Sequence, residues 1–308
     1  MKTQSLKKAV HCFLIIVLSV HCADILSQTI PIKLERNKTI LPVTIEGVGP
    51  LDILFDSGMS FDGLMIYNPE LRDSINLKKA IQVKMPGAGD GEPSTAVMDD
   101  SASFFVGDVE FKNQKVIVLQ NDIYKGFSTD GIIGYSILGH YATEIDYDKN
   151  VMNLYESNKI DPDSSWQQIP MYFKNNTIPW IDVLMSVKEE EPIKLSTYID
   201  YAAGDEIVLL KRQEMKFTLP DNLEPVLLGR GLSGDIYGEK GKISKLIIGP
   251  FELHDVSAMV APAEIRSKQV GADAIIGNGA LRRFNIIFNY DNKMLYIKPN
   301  KYFKEKFE

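Results

Sequence analysis

Residues 51–58 read Leu-Asp-Ile-Leu-Phe-Asp-Ser-Gly. Residues 53–55 form an apolar run that is typical of a buried strand, and this run ends at an acid, a hydroxyl and a glycine. Asp56 therefore leaves a rigid strand and enters a tight turn. Turn N–H groups and the Ser57 hydroxyl can hydrogen-bond the carboxylate there, and Gly58 lets the backbone bend closely around it. Because Asp-Ser-Gly is also a common turn sequence, the rest of the chain must decide whether this acid is functional.

The second half of the chain repeats a motif of the first half. Residues 130–138 read Asp-Gly-Ile-Ile-Gly-Tyr-Ser-Ile-Leu, and residues 273–281 read Asp-Ala-Ile-Ile-Gly-Asn-Gly-Ala-Leu. The motifs begin at positions 130 and 273, an offset of 143 residues. The same offset from Asp56 ends one residue before Asp200, within Thr-Tyr-Ile-Asp-Tyr-Ala-Ala-Gly at residues 197–204. The chain is therefore predicted to be a tandem duplication with one such acid in each half.

Composition agrees with two mainly β domains. The chain has 308 residues, of which 44% are hydrophobic, and this is enough for two cores. Short runs rich in Ile, Val, Phe and Tyr recur between clusters of Gly, Pro, Asn and Asp, a pattern that indicates strands and turns. The formal net charge of −7 leaves no basic stripe, so nucleic acid is not expected to be a partner.

The two motifs at matching spacing resemble those of the bilobal aspartic proteases. The Ile-Ile-Gly run at residues 132–134 and the return strand through Asp146 and Tyr147 look most like the retropepsin-like, single-chain bacterial members of that clan. The resemblance covers nearly the whole chain after the N-terminal segment. It implies a mainly β fold of two tandem-duplicated, acid-protease-like β-barrel lobes with a cleft between them. It also implies that the Ile-Ile-Gly run at residues 132–134 passes as a buried strand beneath the acid turn, where glycine lets the two backbones approach closely.

The N-terminal segment is typical of a signal peptide. Lys2, Lys7 and Lys8 precede an apolar run at residues 12–20 that is too short to span a membrane. We therefore expect an exported protein, periplasmic or extracellular, without an integral membrane span. A lipid anchor on Cys22 is a less favoured alternative. Both cysteines lie in or beside this segment, so the mature chain is expected to fold without disulfides and without thiolate metal sites.

These observations divide the chain into five parts. We predict a signal peptide at residues 1–27, an N-terminal lobe at 28–156, a linker at 157–168, a C-terminal lobe at 169–300 and a tail at 301–308. The linker is placed at a stretch that contains Asp-Pro-Asp-Ser-Ser, which is typical of an irregular connection.

The resemblance implies a catalytic pair formed by Asp56 and Asp200, with Ser57, Gly58 and Ser60 supporting the first acid. Two full charges about 3 Å apart repel by roughly 5 kcal/mol at an effective dielectric near 20, so the acids are expected to share one proton. The ionised acid would take a proton from water while the protonated acid binds the scissile carbonyl. This chemistry requires no metal and no cofactor. The chain has four histidines without ligand spacing and no Gly-x-Ser-x-Gly elbow.

In this family the cleft is covered by a flap, and each half offers a candidate. Residues 86–93 are glycine-rich, with Gly89 near the middle, although an ordinary surface loop is an equally good interpretation. Residues 229–238 are the candidate in the second half, where Tyr237 could reach over the cleft. The expected partner is a peptide or protein substrate bound by a monomer whose two lobes form one cleft.

The second acid turn departs from the family pattern. Tyr201 and Ala202 stand where the first half has a serine and a glycine, and Gly204 stands where it has Ser60. In the resembling family the residue directly after the acid carries a hydroxyl. This hydroxyl reaches the backbone of the partner lobe and holds the two acids in place. A tyrosine hydroxyl lies too far from its backbone to do so in the same geometry.

Three functions stay open on these residues. The first is an exported aspartic endopeptidase that uses Asp56 and Asp200. The second is a catalytically degenerate protein of the same fold that binds peptide or another extended ligand, since fold does not fix function. The third is a hydrolase of another bond, for instance a glycosidase, whose paired acids are usually at least about 5 Å apart.

Overall fold

The structure, a computed structural model, describes residues 28–88, 91–266 and 270–307. The predicted signal peptide at residues 1–27 and the flap residue Gly89 lie outside the described residues. Of the helices in the described ranges, none is long and apolar enough to cross a membrane.

The first half of the described chain is mostly strand. Short 3-10 turns lie at Pro69–Leu71 and Ser157–Lys159, and a single helical turn, α1, spans Tyr135–Leu138. The strands in chain order are β1 (Gln28–Pro31), β2 (Lys33–Glu35), β3 (Lys38–Ile45), β4 (Val48–Phe55), β5 (Gly63–Ile66), β6 (Ile81–Met85), β7 (Ser94–Val106), β8 (Val109–Leu119), β9 (Gly131–Ile133), β10 (Ala142–Asp146) and β11 (Val151–Tyr155).

The second half follows the same plan. A 3-10 turn lies at Ala263–Arg266, and the helical turn α2 spans Asn278–Leu281. The strands continue as β12 (Gln167–Pro170), β13 (Trp180–Ser186), β14 (Ile193–Asp200), β15 (Ile207–Lys211), β16 (Glu224–Gly231), β17 (Gly234–Ile248), β18 (Phe251–Pro262), β19 (Ala274–Gly277), β20 (Phe284–Asn289) and β21 (Met294–Pro299).

Each half forms a barrel-like sheet, and the strand order is the same in both except for the additional edge strand β2 in the first. Among the described strands, the first sheet runs β2-β3-β4-β9-β5-β8-β7-β6 and is closed by pairing of β3 with β7. The second runs β13-β14-β19-β15-β18-β17-β16 and is closed by pairing of β13 with β17. In both sheets the acid-bearing strand pairs in parallel with the short strand of the Ile-Ile-Gly run. The predicted mainly β fold of two duplicated lobes is confirmed, whereas the predicted domain boundaries stay a prediction.

A third sheet joins the two halves. Its order is β1-β11-β10-β20-β21-β12 over the described residues, so each half supplies three strands. At its centre β10 pairs with β20, where Thr143 lies opposite Phe288 and Ile145 opposite Ile286. All four of these side chains are buried. Burial of an aliphatic or aromatic side chain stabilises a fold by about 1.5–3 kcal/mol, and this shared sheet therefore fixes the orientation of the two acid-bearing barrels.

Turn chemistry places the hairpins. Asn37 between β2 and β3 and Asn150 between β10 and β11 have positive φ angles of 60° and 56°. Asparagine tolerates this left-handed conformation better than other residues with a side chain, which favours tight two-strand connections at these positions. The turn at Asn37 matters for the cleft, because its tip extends toward the second acid turn.

Candidate active site

The first acid turn is built around one close backbone approach. Strand β4 ends at Phe55, and the next backbone N–H, that of Asp56, donates to the carbonyl of Ile133 at 2.8 Å. The N–H of Gly58 donates to Oδ1 of Asp56 at 2.7 Å and fixes the carboxylate. A Cβ on Gly134 would lie 1.9 Å from the carbonyl oxygen of Asp56, so a residue with a side chain cannot occupy this position without moving the turn. The predicted role of this glycine is confirmed.

The second acid turn is built in the same way. Asp200 is the last residue of β14, where it lies opposite Gly277 of β19, and its side chain is buried. The N–H of Ala203 donates to Oδ1 of Asp200 at 3.2 Å. The carbonyl of Ala203 in turn accepts a bond of 2.8 Å from the N–H of Asn278, which tethers the turn to the start of α2.

The two carboxyl groups meet at Gly58. A Cβ built on this glycine would lie 3.0 Å from Oδ1 of Asp56 and 3.2 Å from Cγ of Asp200, so both carboxyl groups lie close to this one position. Both acids line one cleft of about 1570 Å³ between the lobes. A Cβ at position 58 would be closer to both acids than an ordinary van der Waals contact, so glycine favours this arrangement of the first turn. The assignment of the two acids as a catalytic pair stays a prediction.

Ser57 connects the first turn to the second. Its buried hydroxyl donates to the carbonyl of Ile199 at 2.9 Å and accepts a bond of 2.9 Å from the N–H of Tyr201. These groups flank Asp200 on both sides in sequence. One serine hydroxyl of the first lobe therefore holds the backbone that presents the acid of the second lobe.

Comparison with known proteins gives one family match and a similar solved structure. Residues 41–137 match the model of the family described as aspartyl protease. The structure is similar to that of the aspartic proteinase from Irpex lacteus, with a TM-score of 0.59 and 13% identity over 91% of this chain and 99% of that chain. The predicted resemblance to the aspartic proteases is confirmed. At this level of identity the structural similarity shows the fold, and no curated protein matches the sequence.

Within the described part of this aspartic-protease fold, Tyr201 does not form the hydroxyl bond to the partner lobe's backbone that a serine or threonine would form. It makes a different contact between the two halves. Its side chain is fully buried beneath the turn, with its hydroxyl 2.8 Å from that of Tyr147. The hydroxyl of Tyr147 donates to Oδ1 of Asn278 at 3.0 Å and lies 2.7 Å from Oγ1 of Thr39. Burial raises the pKa of Tyr147 to about 12 and that of Tyr201 well above its ordinary value, so both hydroxyls stay neutral. Tyr201 thus points into the core between the halves and does not fill the cleft.

The turn between β2 and β3 holds the other end of the second acid turn. The side-chain amide of Asn37 donates to the carbonyl of Gly204 at 2.9 Å. The amide of Asn278 donates back to the carbonyl of Asn37 at 2.8 Å. The second turn is therefore attached to the first half through Asn37 as well as through Ser57 and Tyr201. No sequence pattern marks Asn37 or Asn278 for this role.

A third acid and a lysine lie beside Asp200 in the cleft. Burial, and to a smaller extent the charge of Asp200, raises the pKa of Asp205 to about 6, while Lys38 and Lys240 oppose the shift. Burial lowers the pKa of Lys38, against the attraction of Asp205 and Asp200. Lys38, Asp200 and Asp205 all line the cleft. The sequence did not predict Asp205 or Lys38, because neither lies in a recognisable motif.

Asp205 is expected to give the protein a pH-dependent stability. An unfolded aspartate has a pKa of about 4, so the folded protein binds this proton more tightly. The resulting stabilisation is complete below about pH 4 and is lost as the pH rises through about 6. Asp205→Asn should therefore be more stable than the parent at pH 8 by about 2 kcal/mol, with a smaller gain at pH 4. Urea unfolding at both pH values measures this difference, and Asp221→Asn, at an exposed carboxylate, is the control. An unchanged pH dependence in Asp205→Asn would contradict the prediction.

The two candidate flaps contact each other over the cleft. The N–H of Ser233, at the tip of the β16–β17 hairpin, donates to the carbonyl of Ala88 at 2.9 Å. The N–H of Gly91 donates to the carbonyl of Ser233 at 2.6 Å, and Oγ of Ser94 donates to the carbonyl of Leu232 at 2.6 Å. The hairpins of both lobes therefore form a joined roof in this conformation.

The structure also gives the positions of two further predicted site residues, Tyr237 and Ser60. Tyr237 is 65% exposed, and the neighbouring side chain on β17 that lines the cleft is Ile236. Nothing in the described structure supports a flap role for Tyr237. Ser60 is exposed at the edge of the cleft, where its carbonyl accepts a bond of 2.8 Å from Oγ1 of Thr177. A hydrogen bond from the Ser60 hydroxyl to the acid stays a prediction.

Within the described residues there is no cluster of His, Cys, Asp and Glu side chains that could hold a metal ion. The acids in the cleft contact backbone N–H groups of their own turns, as at Gly58 and Ala203. Such contacts hold a carboxylate in a fixed orientation without a metal ion.

Proposed function

We propose that this protein is an aspartic endopeptidase that hydrolyses peptide bonds with a water molecule activated by Asp56 and Asp200. The observation that carries the proposal is that both carboxyl groups lie next to Gly58 in one cleft. The family match and the fold support aspartic protease activity in general.

The proposed mechanism follows from charge repulsion. Two carboxylates that share a site cannot both be ionised without a cost of several kcal/mol, and aspartic proteases are the standard example of this effect. One acid therefore holds the shared proton and donates it to the scissile carbonyl. The other takes a proton from the attacking water, and the roles reverse when the amide breaks. No covalent intermediate forms, since water is the nucleophile.

The cleft favours an extended, largely apolar chain. Apolar side chains line it on both lobes, while the joined flaps close it from above. A strand-like segment can thread between floor and roof, whereas a folded domain cannot enter without opening the hairpins. The lining apolar residues include Met65, Tyr67, Phe127 and Ile132 on the first lobe, and Ile178, Trp180, Val208 and Ile275 on the second.

Hydrolysis of an unfolded protein is the direct test of this proposal. Between about pH 4 and 7 the purified protein should cleave an unfolded substrate and leave the folded form of the same substrate intact. A statine-type inhibitor, which carries a hydroxyl in place of the attacking water, should block the cleavage. A metal chelator should leave it unchanged. Cleavage that resists the inhibitor would contradict the proposal.

We also propose that the protein acts outside the cytoplasm, because residues 1–27 have the pattern of a signal peptide. We propose that it acts as a monomer, because both candidate acids of the cleft belong to one chain. Cell fractionation and determination of the mature N-terminus test this localisation. A mature chain that still begins at Met1 would contradict it. A lipid attached to Cys22 would show that the protein is anchored to a membrane and is not released.

The second candidate function is a binding protein of the same fold. It is favoured by one observation, the Tyr-Ala sequence in the second acid turn, where the family has a hydroxyl residue and a glycine. Under this alternative the cleft would bind a peptide that remains intact. This alternative would be favoured if the protein binds an extended peptide and does not cleave it anywhere between about pH 4 and 7.

A further inference from the structure

The 173–177 loop of the second lobe is fixed beside the first acid turn. The ring of Phe173 packs on that of Tyr290 with centroids 4.9 Å apart. At the other end of the loop, Oγ1 of Thr177 donates to the carbonyl of Ser60 at 2.8 Å. Ser60 lies four residues after Asp56. The loop therefore presents its middle residues to the cleft in a defined place.

Lys174 is the charged residue of this loop, and it lines the cleft. Its ammonium lies 3.7 Å from the ring centroid of Trp180, which is fully buried. The contact holds the cation against an apolar wall, where a charge is less screened than in bulk water. The indole N–H of Trp180 has no hydrogen-bond partner in the described structure, so this wall also holds an unused donor.

Lys174 differs from the other cations of the cleft. Lys38 is attracted to Asp200 and Asp205, and Arg230 forms an ion pair with Asp235. No carboxylate of the described residues lies within ion-pair distance of Lys174. The side chains next to it in the loop, at residues 175–176, are amides that also line the cleft. This part of the rim therefore offers positive charge to a ligand.

We propose that Lys174 is a specificity-determining residue that binds an acidic side chain, aspartate or glutamate, of the polypeptide in the cleft. This inference rests on the proposed function, because that function makes the ligand an extended peptide. The carboxylate would form an ion pair with the ammonium above Trp180. A lysine or arginine at the same ligand position would face an unfavourable like charge instead.

Charge reversal tests the proposal. The probes are extended peptides with two adjacent apolar residues at the centre, in which each flanking position in turn is Glu, Gln or Lys. Cleavage rates are measured with the parent protein and with Lys174→Glu, and dissociation constants are measured with the same pair in an Asp56→Asn background. At one position the parent should prefer Glu to Lys by about fivefold or more, and Lys174→Glu should reverse the order.

Lys298→Glu is the matched control. Lys298 also lies over a tryptophan ring, that of Trp166 at 4.3 Å, but neither residue lines the cleft. The control makes the same change in net charge and should leave the preference as in the parent. A preference that is the same in Lys174→Glu and in the parent would overturn the proposal, even if all the proteins cleave peptides. A reversed binding preference without cleavage by the parent would support the subsite and reject the peptidase function.

Discussion

Asp56→Asn is expected to lower the rate of peptide hydrolysis by about two to four orders of magnitude, because asparagine can neither take a proton from water nor give one back. The amide keeps an oxygen that can accept the bond from Gly58, so the fold should survive. Asp200→Asn should have a similar effect, since the two acids act as one unit, and the double variant should be little worse than either single variant. The measurement is the initial rate on an unfolded protein at several pH values.

Two comparisons make this test decisive. Asp221→Asn removes a carboxylate that is paired with Lys188 outside the cleft, and its rate should equal that of the parent. Circular dichroism and the free energy of unfolding should show that both acid variants are folded. Activity that survives Asp56→Asn would reject the paired-acid mechanism. Loss in Asp56→Asn but not in Asp200→Asn would show that the first acid works without the second.

The acid turns could be predicted from sequence because their determinants are local. An apolar strand that ends in an acid followed by a small residue is visible in a short window, and so is the repeated Ile-Ile-Gly run. The steric need for glycine at position 134 follows from the close approach of the two backbones there. The offset between the halves then identified Asp200, although its turn sequence differs.

The attachments of the second turn could not be predicted, because they join residues far apart in sequence. Asn37 contacts Gly204 across 167 positions, and Tyr147 contacts Tyr201 across 54. An asparagine in a tight turn and a tyrosine after a strand are common for local reasons, so neither position shows its long-range partner. The contact between the two flaps could not be predicted for the same reason, because it depends on how the two barrels are arranged.

The side chains that the second flap directs into the cleft could not be predicted, for a reason of strand register. Strand β16 pairs with β17 through Leu227 and Tyr237, and the pairing then shifts between Leu227 and Gly229. Such a bulge changes which face of a hairpin a side chain occupies, and a one-residue shift exchanges the two faces. Alternation in the sequence therefore could not show which side chains of this hairpin line the cleft, among them Leu227 and Ile236. The flap role of Tyr237 stays a prediction.

The second large effect is expected at Tyr201, the residue that departs most from the family pattern. Tyr201→Ala should destabilise the fold by about 3–5 kcal/mol, because it empties a fully buried site beside Phe55 and Phe288. Tyr201→Phe removes only the hydroxyl bond to Tyr147, and should cost about 1 kcal/mol. Denaturant unfolding measures both values. Tyr237→Phe, at an exposed tyrosine, should change the free energy of unfolding by less than about 0.5 kcal/mol.

The same variants show whether the buried tyrosine positions Asp200 or only fills the core. The hydroxyl of Tyr201 belongs to a network that reaches Asn278, whose N–H holds the carbonyl of Ala203. If the network fixes the second acid, Tyr201→Phe and Tyr147→Phe should each lower kcat with little change in KM, and the double variant should be no worse than one of them. If the losses of stability are additive and kcat is unchanged, both tyrosines stabilise the core by packing and do not position Asp200. Asp200 would then be held by Ser57, by the bonds of Asn37 and of the Asn278 backbone to its turn, and by the turn itself.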